Sequence, residues 1–324
     1  VIKIVDVIIP TYKARETLPK ALDSLVAQTK KMFLVTIVQD CDGEDYGDII
    51  EEYKRRGLVI RWVPLTENVG PGGARQAGMD SDLMSEYFMF LDSDDMYTPR
   101  AIEILSREIS LHNADIASSD FIAEREATPG TLMDVFSVPV TWCHGRIYRA
   151  QYLRDMDIRF LKGLRVNEDA YFNLIAHNCT KKKIKIKEVT YIWRDNKNSL
   201  TRSTNGEDFF KRTWTSYITS QVEAVLRLIQ IKEMIEPDLL GATLLYVYHY
   251  WMIAEHYGIV DNDIKKELLK WKNNPVIIES LKDMQFWNHI SENLKGCTFW
   301  EDNFLFYKVR FVDWLKEYIA DELV

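Results

Sequence analysis

Residues 87–95 read YFMFLDSDD: a run of apolar and aromatic residues from Tyr87 to Leu91, then Asp92, Ser93, Asp94 and Asp95. A short apolar run stopped by polar residues is the pattern of a strand buried on both faces. Three carboxylates in four residues cannot share that core, so they mark where the strand ends. The same texture recurs on either side. Residues 5–10 (VDVIIP), 34–38 (LVTIV) and 58–64 read as strands, and residues 114–117 open a further one. Between them, residues 16–28, 45–56, 72–84 and 99–112 read as helices; Leu18, Ala21, Leu22 and Leu25 sit at helical spacing, and Pro99 suits a first helical position. Strand–helix alternation predicts an α/β domain, Rossmann-like, with a mostly parallel sheet and helices on both faces. Ligands in such sheets lie beyond the carboxyl ends of the strands.

After about residue 205 the texture changes. Residues 209–234 and 239–257 read as long helices, the second rich in aromatics (Tyr246, Tyr248, Tyr250, Trp251 and Tyr257), with shorter helices to the end. Two domains are expected, 1–205 and a helical 206–324, joined in the polar stretch 201–206. There is no internal repeat.

Composition narrows the class. The chain has 324 residues, 47% hydrophobic and 28% charged, which is enough apolar material for a sizeable core. Its net charge of −8 argues against a general nucleic-acid binder. The basic stretch 181–187 reads as a solvated strand edge. Cys41, Cys143, Cys179 and Cys297 form no C-x-x-C pair, so a zinc or redox dithiol site is not supported, and few, scattered cysteines fit a reducing cytosol. No apolar run reaches the roughly 18 residues of a membrane span, and the opening residues do not read as a signal peptide. The expectation is a cytoplasmic protein with no transmembrane segment, peripheral to a membrane at most.

The strand ends, taken in order, are Pro10-Thr11-Tyr12, Gln39-Asp40-Cys41-Asp42, the stretch from Asn68 through Gly70, Gly72 and Gly73 to Arg75, and Asp92-Ser93-Asp94-Asp95. Acidic, glycine-rich and hydroxyl residues thus converge on one sheet edge. Clustered carboxylates repel one another until a hard divalent cation sits between them and ligand oxygens; the competing reading is a set of helix-capping acids ahead of Pro99. The glycines allow a tight turn into a helix N-terminus, suited to an anionic ligand, yet the spacing is neither G-x-G-x-x-G nor a Walker A loop. Trp142 and His144 precede Gly145. His144 is either a metal or acceptor contact or a structural histidine, and the C-terminal aromatics are either core and self-association contacts or a surface for sugar rings.

The segments VDVIIPTY, IVQDCDGED, NVGPGGARQAG and FLDSDD, in this order and with these gaps, closely resemble the donor half of glycosyltransferase family 2. CHGRIYRA, NEDAYF and WRDNKNSLT resemble later segments of the same family, so that the resemblance runs from about residue 4 to 202. It implies the GT-A fold and an inverting, metal-dependent transfer from a nucleotide sugar. By resemblance, Pro10, Thr11, Tyr12, Gly70 and Ser93 line the nucleotide-sugar site, Asp40 accepts from the base, and Arg75 holds the nucleotide. Asp92 and Asp94 form the Asp-x-Asp motif, with Asp94 the direct ligand of Mn2+ or Mg2+. Asp169 is the catalytic base, Glu168 supports it, and Arg194 and Thr201 approach the diphosphate or acceptor. The chain departs from the family where Gln39-Asp40-Cys41-Asp42 replaces Asp-Asp-Gly-Ser, and where Gln76 follows Ala74-Arg75.

The chemistry agrees with these roles. A departing diphosphate needs its charge stabilised, which a metal can do, and an acceptor hydroxyl needs a base, which a carboxylate on a separate helix can supply. The donor is expected to be UDP-linked. The acceptor is open among a glycan, a lipid-linked glycan, a protein or a modified polymer, and self-association through the C-terminal helices is one reading of their aromatics. The rival functions are a nucleotidyltransferase, for which residues 10–13 make a poor triphosphate loop, and a non-enzymatic nucleotide-sugar-binding or scaffold protein.

Overall fold

The computed structural model describes residues 4–127, 130–194, 207–296 and 304–321. Thr201 and the joining stretch 201–206 lie outside the described residues. The chain divides into two compact units, Val1–Ser203 and Thr204–Val324.

The first unit is built on one sheet. Strands β1 (Val5–Thr11), β2 (Leu34–Gln39), β3 (Ile60–Pro64) and β4 (Tyr87–Phe90) are parallel, in the order β3-β2-β1-β4. Helices α1 (Leu18–Val26), α2 (Gly47–Arg55) and α3 (Gly70–Ser81) connect them. Alternation along β1 explains why its residues are nearly all buried: Val5, Val7 and Ile9 join the core that holds Leu18, Leu22 and Leu25 of α1, while Ile8 faces α3. A Cβ added at Gly78 would lie 2.5 Å from the Ile8 side chain, so α3 rests directly on the sheet. Pro99 lies just ahead of α4 (Ala101–Leu111) and is not its first residue; Arg100 intervenes.

Beyond β4 the sheet is mixed, where the alternation predicted mostly parallel strands. A short β5 (Met96–Tyr97) precedes α4, and β6 (Ile116–Ala127) and β7 (Gly130–Ser137) form a long hairpin. β8 (Arg146–Arg149) runs antiparallel between β4 and β6. After α5 (Ala150–Asp155) and α6 (Glu168–Asn178), β9 (Lys183–Trp193) lies parallel to β6 and antiparallel to β5. The basic stretch falls on the start of β9, where Lys183, Lys185 and Lys187 are exposed and Ile184 and Ile186 turn toward the core.

The second unit is helical: α7 (Glu207–Lys232), α8 (Pro237–His256), α9 (Asn262–Leu268), α10 (Pro275–Leu281), α11 (Met284–Gly296) and α12 (Phe304–Tyr318). Its core is aromatic, with Trp251, Trp271, Phe286, Phe311 and Trp314 buried together. Of the aromatics read on α8, Tyr248 and Trp251 are core, Tyr246 and Tyr250 join a half-buried ring group with Trp214 and Tyr217, and Tyr257 is exposed. None of the described helices is long and apolar enough to cross a membrane.

One acid in the sheet carries a pH-dependent cost. Asp6 is fully buried on β1, accepts a hydrogen bond from the Thr36 hydroxyl at 2.8 Å, and lies against Asp82. Burial, with the Asp82 charge adding to it, raises its pKa from 3.8 to about 8. Folding therefore takes up a proton at intermediate pH. This contribution to stability is full below the ordinary carboxyl pKa and is lost as pH rises through about 8. Asp6→Asn is expected to flatten that slope, giving a higher urea midpoint than wild type above about pH 8. An unchanged pH slope in the variant would show that Asp6 is not the group responsible.

Candidate active site

The carboxyl edge of β4 and the start of α6 are joined by one arginine. Arg75, on α3 and only 5% exposed, donates from Nη2 to Asp92 Oδ1 at 2.5 Å and from Nη1 to Glu168 Oε1 at 2.6 Å. Burying a guanidinium is costly, and carboxylates that meet its donors offset the cost. Burial disfavours the charge, but Asp92 and Glu168 hold its pKa well above the ordinary value. Glu168 reaches Arg75 because Gly72 has no side chain: a Cβ there would sit 2.8 Å from Glu168 Cγ.

Burial also opposes ionisation of Asp92, yet Arg75 and His144 outweigh it and keep the carboxylate well below its usual range. His144 Nε2 lies 3.5 Å from Asp92 Oδ2; its ring stacks on Tyr191 at 4.5 Å, and its Nδ1 is buried with no hydrogen-bond partner. Tyr191 donates its hydroxyl to Asp95 at 2.7 Å, and the Arg194 backbone N–H donates to the other Asp95 oxygen at 2.8 Å. Burial, then repulsion from Asp94 and Asp92, pushes the Asp95 pKa well up.

Asp92, Asp95 and His144 offer ligand atoms within 4.8 Å of one another, a group able to hold a metal ion. A carboxyl held protonated by burial and by neighbouring carboxylates, beside a second carboxylate and an imidazole, is an arrangement that a divalent cation would satisfy. Asp94, expected from the Asp-x-Asp pattern to be the principal ligand, is part-exposed beside this group and not one of its three members. Ser93 is likewise part-exposed.

The base candidate sits in the first turn of α6, just after Asn167, whose φ of 64° is left-handed. Asp169 accepts from the Ala170 N–H at 2.8 Å, and its pKa is pushed up to about 8, by burial first and then by Glu168. Glu168 is raised by burial, with Arg75 opposing. Fully buried Asn173, one turn on, donates to the Asp169 carbonyl at 3.0 Å and to the Thr141 carbonyl at 3.3 Å, and accepts from the Tyr148 hydroxyl at 2.6 Å.

Several expected nucleotide contacts are engaged within the protein. Thr11 is buried and donates to the Val38 carbonyl at 2.9 Å, tying β1 to β2. Asp40 accepts from the Val69 N–H at 2.7 Å and the Gly70 N–H at 2.9 Å, so the anion at the N-terminus of α3 is the protein's own carboxylate. Gly70 makes that turn with φ +78°. The Arg194 side chain pairs with Glu124 at 3.2 Å. Pro10 is half-buried on β1, and Tyr12 just beyond is 50% exposed. The sequence pattern places Asp95 in the acidic cluster without a separate role, and singles out neither Tyr191 nor Asn173. The i, i+4 spacing of Asp169 and Asn173 was the available signal for the last.

A parallel β3-β2-β1-β4 unit with an acidic strand end facing a Glu-Asp helix defines a GT-A domain. The family model "Glycosyl transferase family 2" matches residues 6–158, within the first unit. Among relatives, it is 26% identical over 225 residues to glycosyltransferase GlyA of Streptococcus pneumoniae serotype 4, covering 61% of this chain and 31% of GlyA. The chain therefore spans about a third of that relative's length. Among solved structures, S. aureus TarS 1–349 in complex with UDP-GlcNAc superposes with a TM-score of 0.65 at 20% identity, covering 86% of this chain and 81% of that one. The mannosyltransferase PcManGT from Pyrobaculum calidifontis, in complex with GDP-Man and Mn2+, superposes with a TM-score of 0.52 at 11% identity, covering 89% and 83%.

Gly72→Ala is expected to cost about 1–3 kcal/mol of stability, because the added methyl displaces Glu168 from Arg75. Thermal unfolding measures it; a variant as stable as wild type would mean that Glu168 has another way to pack.

Proposed function

We propose that this protein is an inverting, metal-dependent glycosyltransferase taking its donor from a UDP-sugar. Residues 1–205 form the donor-binding catalytic domain in this reading. The observation that carries it is the Asp92–Arg75–Glu168 bridge, which fastens the acidic strand end to the helix bearing Asp169. Charge stabilisation and base are thereby held in one place. The family match over residues 6–158 and the likeness of fold to proteins solved with UDP-GlcNAc and GDP-Man support the donor class. The free thiols Cys41, Cys143 and Cys179 fit a reducing, cytoplasmic setting.

Asp169 takes the proton of the acceptor hydroxyl as that oxygen attacks the anomeric carbon. Attack comes from the face opposite the diphosphate, so the new glycosidic bond forms as the old bond to phosphate oxygen breaks, with inversion. Asp92 and Asp94 of the Asp-x-Asp motif, with Asp95 and His144, are the residues that would hold Mn2+ or Mg2+, and the imidazole favours Mn2+. Such a cation supplies Lewis-acid stabilisation of the leaving nucleoside diphosphate. Arg75 keeps Asp92 ionised and orients Glu168, which holds the first turn of α6 in place. Tyr12 and Asp40 flank the nucleotide base, with Asp40 also rigidifying the start of α3.

Replacing the base tests the chemistry apart from binding. Asp169→Asn keeps the volume and loses the proton acceptor, so transfer should fall by about 10²–10⁴ while UDP affinity stays within a few-fold. Near-wild-type transfer by the variant would remove Asp169 from the role. Because the carboxyl must be ionised to act, wild-type kcat/KM should also rise with pH toward about 8.

Metal dependence is a separate expectation. EDTA and Asp94→Ala should each weaken UDP binding and abolish UDP-sugar hydrolysis, since the diphosphate loses its link to the protein. Equal UDP affinity by calorimetry with Mn2+ and with EDTA would contradict a metal-held diphosphate.

A further inference from the structure

We propose that Trp142 is the floor of an acceptor subsite that takes a pyranose ring of a glycan. The subsite deepens the functional reading above and rests on it. Three strands build the ground beneath it. In the register of β7, β6 and β9, Phe136 lies opposite Phe121 and Phe121 opposite Tyr191, while Ala123 lies opposite both Asp134 and Trp193. Trp142 and His144, from the segment entering β8, lie across this face. The Trp142 ring centre is 5.5 Å from Phe121, 6.1 Å from Trp193 and 5.4 Å from His144. Phe121 is buried beneath, whereas Trp142 remains only half-buried at the rim of the core. A ring fixed from below with part of its surface open is a rigid stacking platform.

Its position ties it to the reaction centre. On one side, the adjacent His144 reaches Asp92 at 3.5 Å. On the other, Asn173 Nδ2 donates to the Thr141 carbonyl at 3.3 Å and contacts Cys143 Sγ at 3.4 Å while also bonding the Asp169 carbonyl at 3.0 Å. Trp142 therefore stands in a segment clamped between the donor-side carboxylate and the helix of the base. In this proposal, an acceptor whose hydroxyl meets Asp169 extends the remainder of its ring, or the next ring, toward the indole.

Charge selects the occupant. Among the described residues, the register puts the carboxylate of Asp134 on this face; two cations of the flanking strands are matched, Arg194 by Glu124 at 3.2 Å and Lys185 by Asp120 at 3.5 Å, and Arg146 is buried with its Nη2 on the Pro139 carbonyl at 2.6 Å. A polyol-phosphate chain would meet repulsion here. A neutral sugar presents polarised C–H groups to the negative face of the indole and hydroxyls to the acids around it.

The test is saturation-transfer NMR on the full chain with UDP and Mn2+, using tetrasaccharides of glucose and of N-acetylglucosamine and, separately, a short ribitol-phosphate oligomer. Calorimetric UDP titration runs alongside. At least one tetrasaccharide should receive saturation from the aromatic protons. Trp142→Leu, which keeps an apolar side chain without a π face, should weaken that binding by about tenfold or more, and Trp142→Tyr should largely restore it. Binding unchanged in Trp142→Leu, equal loss in the Tyr and Leu variants, or binding of the ribitol-phosphate oligomer in place of every tetrasaccharide overturns the subsite. Wild type that neither binds UDP nor hydrolyses a UDP-sugar overturns the functional reading, and the subsite falls with it. Saccharide binding independent of Trp142, in a protein that does bind UDP, overturns the subsite alone.

Discussion

One buried arginine, Arg75, organises the site of the first unit. Arg75 stands between Asp92 at the end of a central strand and Glu168 at the start of a helix nearly a hundred residues later. Were either carboxylate absent, a guanidinium would be left buried and under-compensated, at a cost of several kcal/mol. The two parts of the site are therefore placed relative to each other by the same interaction that makes the arginine tolerable. The excess of acids around it has a second effect. Burial first, and then the neighbouring carboxylates that one arginine does not neutralise, drive Asp95 and Asp169 toward their protonated forms. An acidic site poised in this way suits both a divalent cation and a base that works near neutral pH.

The bridge needs close approach, and the glycines of α3 provide it. Gly72 admits Glu168 over the helix, and Gly78 lets the same helix rest on Ile8 of the sheet. Asp40 then caps the helix from the neighbouring strand. A segment that reads like an anion-binding loop is in this fold a joint between sheet, helix and helix. What it contributes to a nucleotide site is rigidity, together with the placement of Arg75.

Around this centre, aromatic rings carry the outer wall. His144 stacks on Tyr191, and the Tyr191 hydroxyl holds Asp95, so the metal-competent group is supported from behind by packed rings. Asn173 performs the matching task for Asp169, joining α6 to the segment entering β8. Carboxylates set on strand and helix ends, with their partners locked by packing, are the arrangement expected of a preorganised site.

Much of this was legible in the sequence, because the deciding signals are local. Apolar runs ended by Asp92 and Asp40, helical spacing after them, and the ordered family segments suffice for the parallel half of the sheet, the GT-A domain and the identity of the acidic residues. Local patterns cannot show which side chains meet across long separations. The pairing of Arg75 with Glu168, the capping of α3 by Asp40, and the grouping of Asp95 and His144 with Asp92 all join residues far apart in the chain. The mixed half of the sheet escaped for a related reason: β8 and β9 are short or alternating stretches whose direction depends on the partner strand. Composition and spacing determined which chemistry this protein can hold. Only tertiary burial, which makes an unpaired charge costly, decided which of those residues stand together.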